Sequence, residues 1–432
     1  MRKHDLRLIS LILVCICMLF TGCSSDSREI DDQVYTLVIG ADKGTENRVR
    51  LTIQYPTYKD GAGGGIEKSS GGGGGGGETG EVDGTIVETV EAPSILEAVN
   101  LLNTSVPRSI SFIHAKMFVF SEDFARDGIG SYLEPMARFR ETRRIMQVVV
   151  CRGKAEDFIK ENKGLIGSSI AKTMELMSTQ ALETGYFPFT TFHDFYTGVL
   201  SPYSQAYAAY AGINDFKNLK NEEGVKEAAA LEAEKGFMPG EIPRQGGTKG
   251  EFVGTAVFNG DRMVGSLDSY ETRYFMMVIG RYQRGIITIS DENEPGSAIP
   301  LDVRLGRKSE IKGHFEDGKP VIDVHLSIES DLGAVQSRIQ YEKLDKIDDL
   351  NNYIARIIQR GVKNTIEKTI KELGTDVFGF GRYFAGYFTT IQEFEEYDWL
   401  SHYREAKINV SVEADVRRTG TIVDTSPIRH GK

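Results

Sequence analysis

The sequence predicts a mixed α/β protein, of α+β character towards its C-terminus, and three observations support this fold class. With 432 residues, the chain is long enough for two or three domains of about 100 to 200 residues each. Hydrophobic residues make up 40% of it and charged residues 26%, as is typical of water-soluble globular proteins. Runs with the period of a strand alternate with runs of helical period, which favours helices packed on sheets.

The first 22 residues have the features of an export signal. Three basic residues stand near the start: Arg2, Lys3 and Arg7. The apolar run Leu8–Phe20 follows, and its length of about 13 residues is short of the roughly 20 helical residues that span a bilayer. Residues 1–22 are therefore predicted to be a signal peptide.

The stretch Leu19–Cys23 resembles the bacterial lipobox, with the small residue Gly22 directly before the cysteine. In a lipobox the thiol is joined to diacylglycerol and the signal is cut, so Cys23 is expected to become the lipidated N-terminus. Phe20 departs from the pattern, which prefers Leu there. The alternatives are an ordinary secretory signal, or an uncleaved anchor, with an incidental cysteine.

Charge and cysteine usage restrict the function further. The signal carries three Lys/Arg and one Asp, so its removal takes the net charge from −11 to −13, which excludes nucleic acid as a partner. Cys15 and Cys17 leave with the signal and Cys23 takes lipid, so no intramolecular disulfide is expected. Cys151 ends the apolar run Ile145–Val150, which predicts a buried and inert strand thiol.

The N-terminal domain is predicted over residues 29–200, after a small, polar tether at 23–28. Two β-rich runs, Val34–Ala41 and Val49–Tyr55, predict a hairpin. The Gly-rich stretch 61–80 cannot bury enough apolar surface to offset the entropy of ordering, so it is expected to be a disordered surface loop.

Strands and helices alternate through the rest of this domain. Ser94 and Glu97 have the spacing of a capping box, in which each side chain accepts a hydrogen bond from the other residue's backbone N–H. Helices are predicted from Ser94 and over Asp123–Phe139, Ala155–Asn162 and Ser168–Thr184. Strands are predicted over Thr85–Val90, Ala115–Phe120 and Arg144–Cys151. This order indicates helices packed on a sheet.

A second, small domain is predicted over residues 201–290. Its stretch 217–250 is charged, then rich in Gly and Pro, and is the best candidate for a linker or a long loop. The segment 254–265 predicts a hairpin, because Asn259-Gly260 supplies the left-handed conformations that a tight turn needs.

The C-terminal domain is predicted over residues 291–432, with an antiparallel-rich sheet packed by a long helix. Apolar residues recur at three-and-four spacing over Lys343–Leu373, which favours a helix lying on the sheet, with coiled-coil pairing as the alternative. A final strand is predicted over Ala406–Arg417, which alternates apolar and polar residues. Four strands precede the helix: Gly285–Ser290, Leu301–Arg304, Ile311–Glu316 and Val321–Glu329.

Aromatic residues are dense between positions 186 and 210. Such a cluster could line a small-molecule pocket or a partner surface, and packing between two domains explains it as well. The residues are Tyr186, Phe187, Phe189, Phe192, Phe195, Tyr196, Tyr203, Tyr207 and Tyr210.

Motifs for catalysis or for cofactor and metal binding are missing from the sequence. Neither G-x-S-x-G nor H-E-x-x-H occurs, and no metal-ligand spacing is repeated. The segment Gly313–Lys319 has part of the P-loop spacing, but Pro320 stands where Ser or Thr is required. Asp323 and His325 are two residues apart on one strand, where a salt-linked or solvent-facing pair is expected. We therefore expect no enzyme, no cofactor and no metal.

Several short motifs, taken together in their order and spacing along the chain, resemble those of the Ger(x)C family. This family comprises the lipoprotein C subunits of nutrient germinant receptors in spore-forming bacteria. The resemblance covers most of the chain, although the family usually has Trp-Asp directly after the lipid cysteine and lacks the Gly-rich insertion. It rests on Arg28–Asp32, Val38–Gly44, Gly254–Phe258, Gly260-Asp261, Val264-Gly265, Glu271–Arg273, Asp376–Gly381, Asn409–Val412 and Arg417–Gly420.

The resemblance implies a three-domain, non-enzymatic ectodomain at the outer face of the inner spore membrane. It also implies assembly with two membrane-embedded subunits, one A-type and one B-type, in a receptor that triggers germination in response to small nutrients. Cys23 is the only residue to which the resemblance gives a role. The alternative function, favoured by the aromatic cluster, is a solute-binding lipoprotein that captures the nutrient directly.

Overall fold

A computed structural model describes residues 32–57, 81–82, 84–162, 170–219, 230–337 and 339–420. The predicted signal peptide, Cys23, the tether and the Gly-rich loop 61–80 lie outside these residues. In the described part of the chain, none of the helices combines the length and the apolar character that crossing a membrane requires.

A nine-stranded sheet forms the larger body. Its strands are β2 Val38–Lys43, β3 Val49–Pro56, β4 Glu81–Val82, β5 Thr85–Ala92, β7 Met117–Ser121, β8 Gln147–Cys151, β9 Tyr207–Ile213, β10 Gly250–Asn259 and β11 Arg262–Leu267. Their order across the sheet is β11-β10-β9-β8-β7-β2-β3-β5-β4. The four central strands, β2, β7, β8 and β9, run parallel, and the flanking pairs run antiparallel. The strands β7 and β8 are buried at every position, as parallel strands covered on both faces are.

Helices cover both faces of this sheet. One face packs on α1 Ile95–Leu102, α2 Glu122–Asp127, α3 Gly130–Arg138 and α6 Phe192–Val199. The other packs on α4 Ala155–Glu161 and α5 Ile170–Thr184. The mixed α/β fold class is therefore confirmed, and so is the buried position of the Cys151 thiol at the end of β8.

Two predicted elements are divided in the structure. The helix predicted over Asp123–Phe139 breaks into α2 and α3 at Gly128, whose φ of 110° ends the first helix. The strand predicted over Val34–Ala41 splits because the backbone changes its hydrogen-bonding partner. The Thr36 N–H donates to Ser111 O, whereas the Leu37 N–H donates to Gln54 O. The first piece, β1 Gln33–Tyr35, pairs with β6 Ser109–Ser111 in a separate two-stranded sheet.

Asp42, at the end of β2, ties the sheet to a helix. Its carboxylate accepts hydrogen bonds from the N–H groups of Ala155 (2.7 Å) and Glu156 (3.0 Å), the first residues of α4. Close packing beside it requires glycine, since a Cβ on Gly40 would lie 2.6 Å from the Cδ1 atom of Ile159. The helix α4 is thereby fixed against the centre of the sheet.

A five-stranded sheet forms the second body, and its three antiparallel pairings and one parallel pairing confirm the antiparallel-rich prediction. Its strands are β12 Arg284–Ser290, β13 Ala298–Leu305, β14 Glu310–Glu316, β15 Lys319–Leu332 and β16 Lys407–Arg418. Asp317 and Gly318, with φ of 50° and 78°, form the tight turn between β14 and β15. The last strand, β16, lies parallel to β15.

The long predicted helix, α8 Leu344–Lys368, lays its apolar stripe on this second sheet. A single π-helical turn, Thr369–Leu373, prolongs it. A shorter helix, α7 Ser269–Val278, packs beside α8 and links the two bodies. Two small helices, α9 Ile391–Tyr397 and α10 Trp399–His402, lie between the long helix and β16 in the chain. The packing of the long helix on the sheet, rather than a coiled coil, is confirmed.

The predicted domain boundaries stay predictions, but the first sheet continues across the one between residues 200 and 201. Strands β9, β10 and β11 pair with each other and, through β9, with β8. The stretch 217–250 therefore joins neighbouring strands of one sheet. The part of this stretch nearest β10 is held by the buried carboxylate of Glu251, in β10. This carboxylate accepts hydrogen bonds from Arg244 Nε (2.9 Å) and Asn214 Nδ2 (3.0 Å).

Candidate functional site

The Asp376 loop, residues 376–381, occupies the joint between the two bodies. The Asp376 carboxylate is fully buried and accepts hydrogen bonds from Gly379 N (2.9 Å), Gly381 N (3.0 Å) and Trp399 Nε1 (2.8 Å). Both glycines are needed: Gly379 has φ of 73°, and a Cβ on Gly381 would lie 2.6 Å from the Trp399 ring. The motif Asp376–Gly381 is thus a turn built around a buried carboxylate.

Hydrogen bonds fasten this loop to the larger body. The backbone oxygen of Asp376 accepts from Gln205 N (2.7 Å), and the Thr375 hydroxyl donates to Phe258 O (2.7 Å). The Gln205 side-chain oxygen in turn accepts from the N–H of Gly260, in the turn between β10 and β11. The Asp376 loop therefore sets the distance between the second sheet and the end of the first.

Burial raises the pKa of Asp376 to about 6, although the donors from Trp399, Gly381, Phe380 and Gly379 oppose this rise. A carboxyl that holds its proton more tightly when folded makes the protein more stable as the pH falls from about 6 to about 4. As the pH falls across that interval, we expect the free energy of unfolding of the wild type to rise by up to about 3 kcal/mol relative to that of Asp376→Asn. Urea unfolding of both proteins at several pH values tests this. A fall in the free energy of unfolding of the wild type relative to the variant would contradict it.

Arg273, on α7, joins the two bodies at a second point. Only 2% of it is exposed; its Nε donates to Thr184 O (3.0 Å) at the end of α5, and its Nη1 donates to Ile286 O (2.8 Å) in β12. The guanidinium carbon lies 3.9 Å from the centre of the Tyr186 ring. No carboxylate among the described residues forms an ion pair with Arg273, so the two carbonyls and the ring hold its charge.

A cleft of about 360 Å³ opens between the two bodies beside the Asp376 loop, and we call it the interbody cleft. Residues between Thr190 and Tyr207 line its first wall. The opposite wall comes from 278–281, at the end of α7 and just after it, from 308–311, just before β14 and at its start, and from 377–383. Because both bodies contribute, the packing at Asp376 and Arg273 determines its width.

The interbody cleft is positively charged in a protein whose net charge is −11. Arg281, Lys308 and Arg382 line it, against the single acidic residue Asp194, whose Oδ2 is 3.5 Å from Arg281 Nη2. The Nε of Arg382 donates to Gly379 O (2.9 Å), and no described carboxylate pairs with Arg382 or Lys308. Two cationic groups in the lining of the cleft therefore remain without a carboxylate partner in the described part of the chain.

Two residues with hydroxyl groups also line the cleft. Thr190 is 1% exposed, and its Oγ1 is buried without a hydrogen-bond partner within the described ranges. Burial raises the pKa of the Tyr207 hydroxyl, and the positive charges of Arg281 and Arg382 oppose this rise. The lining of the interbody cleft thus combines cationic with uncharged polar side chains.

The predicted aromatic cluster packs inward, as the packing interpretation expects. Phe195 meets Phe258 edge to face in the first core, Tyr203 stacks on Phe394, and Tyr207 meets the ring of Phe275. Of the nine aromatic residues, Tyr207 lines the interbody cleft. The cationic residues of the cleft carry no sequence motif, since they are far apart in the chain, and the sequence analysis missed them.

The other residues considered from sequence lie apart from this cleft. Asp323 and His325 are on the second sheet, where they bond to Asn409 (2.8 Å) and Ser411 (2.9 Å). Burial raises the pKa of the Cys151 thiol well above its usual range. Across the residues that the structure describes, no three His, Cys, Asp or Glu side chains are grouped to hold a metal ion. Cys23 is outside those residues.

Two family models match the chain. The model described as "Spore germination protein N-terminal domain" matches residues 26–213, and "Spore germination B3/ GerAC like, C-terminal" matches residues 253–420. Three proteins of Bacillus subtilis (strain 168) are similar along most of their length. Putative spore germination protein YfkR is 22% identical over 98% of this chain and 99% of its own, spore germination protein YndF 23% over 97% and 98%, and spore germination protein B3 22% over 87% and 86%.

The crystal structure of the GerBC protein has the same fold. It superposes with a TM-score of 0.50 and 16% identity, covering 88% of this chain and 96% of GerBC. The two family models together span both sheets, including the Asp42, Arg273 and Asp376 contacts. The chain therefore belongs to the Ger(x)C family of spore germination proteins.

Proposed function

We propose that this protein is a lipid-anchored, non-catalytic subunit of a nutrient germinant receptor. Cys23 would hold it at the outer face of the inner spore membrane, next to two membrane-embedded subunits of A-type and B-type. In that position it is required for germination in response to small nutrients. The proposal accounts for a folded body that carries no catalytic motif and yet belongs to a spore germination family.

The observation that carries this proposal is the position of Cys23. The lipobox-like stretch Leu19–Cys23 ends three residues before the first family match, at residue 26. One acyl chain gives only marginal membrane binding, whereas the two or three chains of a processed lipoprotein give stable residence. A tether as short as 23–28 keeps the body close to the bilayer, within reach of membrane-embedded partners.

We expect Cys23→Ala to remove the protein from the spore membrane fraction, or to leave it with its signal uncut, and to abolish the nutrient response. Immunoblots of fractionated spores and germination assays measure these two effects. Cys151→Ala is the matched control, because this buried thiol has no role in anchoring and the variant should stay in the membrane. Normal germination with the Cys23→Ala protein still membrane-bound would refute the proposal.

A second function is favoured by the interbody cleft: the same subunit captures a small solute. The cationic groups that line the cleft support it, rather than the aromatic cluster that first suggested it. The two functions are compatible, since the anchor and the cleft are on different parts of the chain.

A further inference from the structure

We propose that the interbody cleft binds a small solute that carries a carboxylate group. This inference does not depend on the anchoring function; it rests on the second function proposed above and names the chemical class of the solute. It concerns the residues that face each other across the joint, which neither the family models nor the relatives' names assign to a ligand.

The size of the cleft restricts the ligand to a small molecule. Its volume of about 360 Å³ is at the lower end of the roughly 300 to 1,000 Å³ of small-molecule pockets. Such sites are common between domains, where two rigid bodies supply opposite walls. Here the walls belong to the two sheets, and the Asp376 loop holds them in place.

The charges favour an anionic group. Arg382 is oriented by the bond from its Nε to Gly379 O, which leaves its two terminal nitrogens as a fork that matches a carboxylate. Lys308, between β13 and β14, has no ion-pair partner in the described part of the chain. Because the whole protein is acidic, such a grouping of unpaired cations at one cavity points to a negatively charged ligand.

The single acid distinguishes a carboxylate from a phosphate. Asp194 pairs with Arg281 at 3.5 Å, so it reduces the attraction for a dianion such as phosphate. No hydrogen bond within the described ranges occupies the other carboxylate oxygen of Asp194, which can therefore accept from an ammonium or hydroxyl group of the solute. A monocarboxylate with such a donor, an amino acid or a hydroxy acid, therefore fits better than phosphate.

Calorimetry on the full-length protein in detergent tests the inference. The probes are the twenty common amino acids, lactate, glycerate and inorganic phosphate, at concentrations up to about 10 mM. We expect at least one carboxylate to bind, and its amide, which differs only in lacking the negative charge, to bind at least about tenfold more weakly. Failure of every carboxylate, equal binding of the amide, or binding of phosphate alone would overturn the inference.

A variant assigns the binding to the cleft. Lys308→Gln is expected to weaken binding about tenfold. Lys319→Gln, which replaces an exposed lysine at the start of β15, is the matched control and should bind as the wild type does. Equal affinity of Lys308→Gln and the wild type would place the ligand elsewhere and overturn the inference.

The outcome is separable from that of the anchoring experiment. The purified Cys23→Ala protein should bind the same carboxylate with unchanged affinity, because Cys23 precedes the folded body. Loss of binding with intact anchoring refutes the cleft, and loss of anchoring with intact binding refutes only the function proposed for Cys23.

Discussion

Replacing Asp376 by alanine is expected to lower the free energy of unfolding by about 4 kcal/mol. The substitution leaves three buried donors without an acceptor, the N–H groups of Gly379, Gly381 and the Trp399 ring. Each unsatisfied buried group costs about 1 to 3 kcal/mol. Urea unfolding followed by the fluorescence of Trp399, the only tryptophan in the chain, measures the loss next to the substituted residue.

The control for this prediction is Asp348→Ala. Asp348 is exposed on α8 in the same body, so its removal should change the free energy of unfolding by no more than about 0.5 kcal/mol. A loss at Asp376 as small as the one at Asp348 would mean that the three donors find other partners, and the Asp376 loop would then have no structural role.

Replacing Arg273 by alanine is expected to cost about 3 to 5 kcal/mol, for a different physical reason. The substitution removes the donors to Thr184 O and Ile286 O, the contact with the Tyr186 ring, and a large buried side chain. Arg273→Lys should recover only part of the loss, since a tetrahedral ammonium group has a single nitrogen and no plane, and so cannot reach both carbonyls and also stack on the ring. Thermal and urea unfolding of the wild type, Arg273→Lys and Arg273→Ala measure their stabilities, which we expect to decrease in this order.

Arg284→Ala is the matched control for Arg273. Arg284 is exposed at the start of β12 and pairs with Asp302, and a solvent-screened surface ion pair contributes little to stability. If Arg273→Ala is no more destabilising than Arg284→Ala, the two bodies are not held together at this point.

Local sequence patterns predicted the elements of this fold well. The hairpin of β10 and β11 and the helix α8 each depend on residues close together in the chain. The turn of this hairpin is Gly260-Asp261, because Asn259 pairs with Arg262, and of the predicted pair only Gly260 is left-handed, with φ of 59°. The break at Gly128 was missed because its φ of 110° depends on the neighbouring turn between β10 and β11, where Asp261 O accepts from Ile129 N (3.0 Å). A contact made across the chain has no local signal.

The candidate site was harder to predict for the same reason. Arg281, Lys308 and Arg382 come from three separate segments, and each taken alone is an ordinary surface cation. The Asp376 motif did contain a signal, an acidic residue among apolar and glycine neighbours, which is typical of a buried turn. Its effect on the interbody cleft became clear only once both bodies were in place.

The parallel pairing of β16 with β15 makes the second body depend on a contact between distant parts of the chain. Ile322 pairs with Ile408, beyond the long helix. Pairings between distant residues form slowly. Until β16 is in place, one edge of β15 stays open, and an open strand edge is a template for pairing with another chain.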